Sequence, residues 1–347
     1  MKTLYQILST VFLTVGACIG AGFITGRETV TFFGTENFIP YLIFAGVIFA
    51  LSLTVVFSAS SVYPSLTAFN GALFKRTAVF DTAVRISCFL SVCTMLSALD
   101  TFTATLNFLR PFPLFSTVAL LIVGGISRFG VSGARILNFI ATPLMLILVN
   151  IIAFTNGNLN VTATATLRVD GVIKGFLFVT LNTFMNLPSF VDGARGKGLT
   201  QNVIVALLSS AIITVQAGVI LATVKGHGGD LSASPMPFFT AINNPSLTVL
   251  FSAVCTVGIF TSLSTAYYPL HAYAKTKFKR GGGLVVMTAC LLFSRLGIKN
   301  IVDYAYPLIG AFGTVYLIKC IIYLKKEKWK VKRKGKSPLK QLKKDRV

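Results

Sequence analysis

Apolar runs of about twenty residues recur along the whole chain, separated by short breaks rich in charge, Pro or Gly. A hydrocarbon core about 30 Å thick takes roughly 20 apolar residues per helix. The pattern therefore predicts ten membrane-spanning helices, near residues 4–24, 38–62, 83–109, 114–129, 136–154, 172–190, 203–224, 247–274, 282–298 and 301–324. The ninth is the weakest, because its clean apolar core runs only from Leu284 to Ser294 before Arg295 interrupts it. The expected fold class is an all-α integral membrane protein. Residues 1–324 form its single transmembrane domain, divisible into five spans over about 1–155 and five over about 171–324, followed by a basic tail at 325–347.

Composition supports the membrane reading. The 347 residues are 54% hydrophobic and 12% charged, about half the charged fraction of a soluble domain. A soluble enzyme, a nucleic-acid-binding domain and a disordered chain all fit this poorly. The net charge of +22 suggests nucleic acid until it is located: the tail carries twelve Lys/Arg against Glu327 and Asp345, hence ten of the charges. Such a tail is expected to rest on anionic lipid at the inner leaflet, and nothing specific points to nucleic acid. Lys/Arg excess marks cytoplasmic loops, which puts the C-terminus inside and, with an even number of spans, the N-terminus also. Lys75/Arg76, Arg128/Arg135, Arg195/Lys197 and Lys275/Lys277/Lys279/Arg280 then share the cytoplasmic side. Val15-Gly16-Ala17-Cys18 loosely resembles a lipoprotein cleavage box, but the apolar run continues to Ile24, so the segment is expected to be retained. The six cysteines lie in apolar runs without metal spacing and read as small buried hydrophobes.

Corresponding spans of the two halves are interrupted. Span one carries Gly16, Gly20, Gly22 and Gly26 before Arg27-Glu28; span six carries Asn182 to Pro188 before Asp192-Gly193. Pro removes a backbone donor and Gly lowers helix propensity, and unwound backbone at bilayer depth is tolerated only where protein or a watery cavity solvates it. Two broken helices at equivalent positions point to a binding site near the midplane. Gly20, Ala21, Gly22, Phe23, Asn182, Phe184 and Asn186 are its candidate residues. Gly16-x-x-x-Gly20 is equally the small-xxx-small seam of two closely packed helices, and Arg27-Glu28 also fits an interface marker.

In span eight Gly258, Thr261, Ser262 and Thr265 share one helical face. Their oxygens suit a small cation such as Na⁺, although membrane hydroxyls also bond back to their own helix or glue neighbours. Asp100 and Asp303 are acids inside the membrane boundary, where charge is costly and functional by default. Asp303 is a partner for Arg27 or an N-terminal helix carboxylate, and Asp100, like Glu28, is a candidate for carrying a proton or contacting solute. No HExxH, GxSxG or P-loop sequence occurs, so no catalytic residue and no cofactor beyond a coupling Na⁺ or H⁺ is expected.

With these residues the chain resembles the LeuT-like five-plus-five inverted-repeat transporters. The segment from Gly20-Ala21-Gly22-Phe23 to Gly26-Arg27-Glu28 is similar to the start of YkvI-type bacterial membrane proteins of the amino acid–polyamine–organocation superfamily. The resemblance implies a multi-pass bacterial cell-membrane protein and a secondary transporter of a small polar solute, most readily an amino acid or related compound. It implies a sodium site from carbonyls near Gly16 and Ile19, the Gly258 carbonyl and the Thr261 and Ser262 hydroxyls, and an outer gate of Arg27 and Asp303. Some relatives fill that cavity with a lysine of span five, which is absent here. The superfamily also contains spore-germination permeases, so a nutrient receptor without net transport is the alternative function.

Overall fold

The computed structural model describes residues 2–105, 114–161, 168–278 and 282–334, and these are helices joined by short loops. Arg110, Lys279, Arg280 and the last thirteen residues of the basic tail lie outside the described residues. Among the described residues some helix lies within each predicted range. Six segments are long and apolar enough to cross a membrane on that measure alone, one of them (115–156) uniting the fourth and fifth spans.

The first span is three pieces: α1 (Lys2–Cys18), α2 (Ala21–Ile24) and α3 (Arg27–Phe33). Then follow α4 (Phe38–Ser60), the short α5 (Leu66–Leu73), α6 (Thr77–Thr105), α7 (Leu114–Ile126) and, after one 3₁₀ turn, α8 (Gly130–Asn156). The second half opens with a sixth span in two pieces, α9 (Val169–Met185) and α10 (Leu187–Ala194). It continues with α11 (Leu199–Gly226), the single turn α12 (Pro237–Thr240), α13 (Pro245–Phe278), α14 (Gly282–Phe293), α15 (Ile298–Asn300) and, after a π-helical turn at Ile301–Ala305, α16 (Tyr306–Lys334).

Several ends differ from the apolar runs. α6 begins at Thr77 rather than 83, α8 at Gly130 rather than 136, and α16 continues to Lys334 past the predicted end at 324. Apolarity marks the depth of hydrocarbon, whereas a helix continues for as long as its polar residues find partners. In the first turns of α6, Asp81 accepts from the Asn70 amide at 2.5 Å and the Arg85 guanidinium lies 4.0 Å over the Tyr273 ring. α5 was not foreseen: its eight residues carry too little periodicity, and its start is fixed by Ser65, whose hydroxyl accepts from the Ala68 N–H at 3.2 Å.

The packing frames the two breaks. α13 lies against α8 and α6; α4 against α11, α9 and α16; α1 against α8, α11, α10 and α13. One core of buried side chains runs through nearly all of these helices, and lipid-sized apolar residues such as Ile43, Ile140, Leu207 and Leu308 face outward. An apolar exterior over an apolar core is what a bilayer solvent requires.

Candidate functional site

The two breaks arise from different chemistry. In span one the helix stops at Cys18 and Gly20 is extended (φ −92°, ψ −168°). A Cβ at Gly20 would overlap Met95 Cε, whose neighbouring Sδ accepts the Ala21 N–H at 3.0 Å. Gly26 then turns the chain at φ +82°, a conformation glycine adopts freely, with the Phe238 N 3.1 Å from where its Cβ would stand. In span six the helix pauses at Asn186 and restarts with Pro188 in the first turn, where a missing N–H costs nothing.

The breaks face each other through polar side chains. The Asn182 amide donates to Glu28 Oε1 at 2.7 Å, and the Asn186 amide to Cys18 Sγ at 3.6 Å. Glu28 is 5% exposed and the Asn182 bond is its hydrogen bond within the protein; no cation pairs with it among the described residues. Its Oε2 lies 3.4 Å from the place of a Cβ on Gly22. A buried carboxyl with one hydrogen bond and no counter-charge is costly unless a proton or a cationic ligand completes it. Of the other candidates, Phe23 is fully buried beside Phe178, ring centroids 6.3 Å apart, and Phe184 packs edge-on against Tyr316 of α16, at 5.7 Å. Asp100 accepts from the Ser116 hydroxyl of α7.

On the side of the site away from the basic loops, the Arg27 guanidinium donates to both oxygens of Asp303 and to the carbonyls of Ser232 and Ser234. Thr31 Oγ1 joins Asp303 at 3.3 Å. The Phe238 N–H donates to the Thr25 carbonyl at 2.8 Å, and the rings of Phe238, Phe251, Phe239 and Phe102 pack edge-on over this end. One ion pair, one loop and an aromatic cluster thus lie over this end. The basic face carries a cavity instead. A cavity of about 330 Å³ opens between α5, α6, α10 and α13, with Cys88, Pro188, Asp192 and Tyr268 in its wall. Tyr268 donates to Asp192 at 3.0 Å, Arg195 pairs with the same carboxylate, and Lys197 nearby is pushed down to about 8 by burial and by Arg135.

Of the oxygens expected to hold sodium, the Ser262 hydroxyl and the Gly16 carbonyl meet between α1 and α13, while Thr261 and Gly258 bond within α13. Ser262 Oγ donates to the Gly16 carbonyl at 2.7 Å, and Thr261 Oγ1 to the Gly258 carbonyl at 2.8 Å. Hard oxygens from a helix break and a neighbouring helix are the donor type that suits sodium. In this arrangement they satisfy one another, so a cation would have to take the place of the Ser262–Gly16 bond. Asn138 of α8 belongs to the same cluster and was not singled out from sequence. Its amide donates to the Ala134 carbonyl at 2.7 Å and the Thr261 carbonyl at 3.4 Å, while its Oδ1 accepts from Thr142 at 3.2 Å. A lone Asn in an apolar run carries no signal that separates this role from ordinary interhelical bonding.

No family model matches the chain. The curated protein YyaD of Bacillus subtilis (strain 168), described as uncharacterized, is 23% identical over 337 residues, covering 92% of this chain and 97% of that protein. Among solved structures, Mhp1, described as a nucleobase-cation-symport-1 family transporter in a closed conformation with bromovinylhydantoin bound, aligns over 89% of this chain and 74% of its own. Its TM-score is 0.59 at 13% identity. MhsT in complex with L-phenylalanine aligns over 91% of this chain and 87% of its own, with TM-score 0.58 at 15% identity. At those identities the likeness establishes the fold: an all-α, LeuT-like architecture whose first and sixth spans are the broken ones.

Proposed function

We propose that the protein is a secondary active transporter that carries a small polar solute, an amino acid or related amine, coupled to a cation. The observation that carries this reading is a single arrangement: two facing helix breaks, joined through Glu28 and Asn182, lie between a face closed by Arg27–Asp303 and a face opened by a 330 Å³ cavity. Taking the basic face as cytoplasmic, this is the inward-facing member of an alternating-access pair. Glu28 would meet the ammonium group of the solute. MhsT with bound L-phenylalanine supports an amino-acid-sized solute in such a fold. The YkvI-type kinship belongs to this reading too, resting on the Gly20–Glu28 segment.

Sodium is the coupling ion on this reading, held by the carbonyls of Gly16, Ile19 and Gly258 and the hydroxyls of Thr261 and Ser262. Binding there would favour one conformation by the difference in affinity between the two states, and solute and sodium must tighten each other by the same factor. The test is uptake into proteoliposomes, screened over amino acids with imposed sodium or proton gradients. Sodium-driven uptake that Thr261→Ala/Ser262→Ala weakens, with the folded yield unchanged, is the expected result. Solute binding without any uptake would make the protein a receptor of the germination-permease kind, and uptake that follows only the proton gradient would move coupling to Glu28 or Asp100.

A further inference from the structure

A second cavity, unconnected with the transport path, lies where the start of α6 meets the distal half of α16. It measures about 530 Å³ and is walled by Leu73, Phe74, Val79 and Phe80 together with Lys75, Arg76, Lys319 and Lys326. That volume falls within the range of small-molecule sites, roughly 300–1,000 Å³. None of the four cations makes an ion pair among the described residues. The adjacent acid, Asp81, is turned to the Asn70 amide, which is itself fixed by the Tyr316 hydroxyl at 2.6 Å. Four like charges around one cavity repel one another, and such a cluster is relieved by an anion.

The wall shows which kind of anion. Phe74 and Phe80 stack at 3.5 Å and give the cavity a rigid apolar floor. On α16, Val315, Lys319, Ile322 and Lys326 follow one another at offsets of four, three and four, so the two lysines continue a single stripe whose other members are apolar. Val315 and Ile322 are 47% and 41% exposed, and Val79 and Ile86 of α6, also on one face, are 55% and 53% exposed. Apolar ridges for acyl chains thus lead to a basic cavity for a headgroup. We propose that this cavity binds the phosphate headgroup of an anionic phospholipid of the inner leaflet, with the acyl chains lying along Val79/Ile86 and Val315/Ile322. A bound lipid would bridge α6 to α16, with Lys326 alone of the tail's cations taking part beside Lys75, Arg76 and Lys319.

The full-length protein, purified in uncharged detergent, is titrated with phosphatidylglycerol or with phosphatidylcholine while its thermal transition is followed. Phosphatidylglycerol alone should raise the transition. Each removed charge near the surface should weaken binding about fivefold, so Lys319→Gln/Lys326→Gln should need some 25-fold more lipid. Lys275→Gln/Lys277→Gln at the end of α13, and a full-length chain with Lys336, Lys340, Lys343 and Lys344 all changed to Gln, should respond as the unmodified protein does. All substituted side chains in the cavity are exposed, so these variants leave the core untouched. Equal stabilisation by phosphatidylcholine overturns the proposal, as does an equal effect of inorganic phosphate, which would make this a free-anion site. So does a response lost in the tail variant but kept in Lys319→Gln/Lys326→Gln.

Discussion

Glu28 is the residue on which the solute reading turns. It is buried, bonded to Asn182 across the two breaks, and no cation pairs with it among the described residues. Glu28→Gln keeps an acceptor for the Asn182 amide and removes only the charge. A hydrogen bond to a charged group is worth about 1.5–3 kcal/mol, so the half-saturating concentration of an amine solute should rise roughly 10- to 100-fold with its sodium dependence intact. Unchanged affinity with a lost dependence on the proton gradient would instead show that the carboxyl carries the coupling proton. At this scale the sequence was legible where a residue type is scarce in lipid: Glu28, Arg27 and Asp303 stood out because charge inside an apolar span is expensive. Gly16 was ambiguous from sequence, since a close-packed seam and a helix break both call for glycine. A Cβ there would overlap Asn138 and Thr142, as a close-packed seam requires, while its carbonyl accepts from Ser262 in the candidate ion cluster.

Among elements, the closing contact between α3 and the π-helical turn before α16 has the clearest energetics. Arg27 and Asp303 side chains are 6% and 25% exposed, so reversing one charge leaves the other poorly solvated. Breaking a buried pair costs about 3–5 kcal/mol; with Asp303 partly wet, the lower end applies, equivalent to a shift of about 100-fold between closed and open outer states. Asp303→Arg alone should therefore impair uptake more than Arg27→Asp/Asp303→Arg. Recovery in the double reversal should be partial, because Arg27 also donates to the Ser232 and Ser234 carbonyls, which an aspartate at that position would repel. Equal loss in the single and double reversals would leave the pair a structural tie. The breaks themselves were readable because Gly20, Gly22 and Pro188 act on backbone conformation directly. The loop that crosses the closed end was not, since Phe238 reaches the Thr25 carbonyl only through the long-range packing of α12 on α3 and α11.

Across the whole molecule, the covered far face and the open basic face make the conformational state measurable with the protein's own thiols. All six cysteines are free and buried, and Cys88 lines the 330 Å³ cavity, beneath the Met185 carbonyl at the break of span six. A small membrane-impermeant maleimide applied to the basic face should label the protein slowly, and Cys88→Ser should abolish that labelling. Applied to the opposite face it should find no thiol while Arg27 and Asp303 are paired. On the transport reading the two faces are coupled, because a protein that alternates between states cannot weaken one seal without shifting population toward the state in which the other closes. Asp303→Asn should therefore slow the labelling of Cys88, although it lies on the far side of the site. A faster reaction would mean that the substitution loosens the fold as a whole, and labelling of Cys88 from the opposite face would reverse the orientation inferred from the Lys/Arg bias.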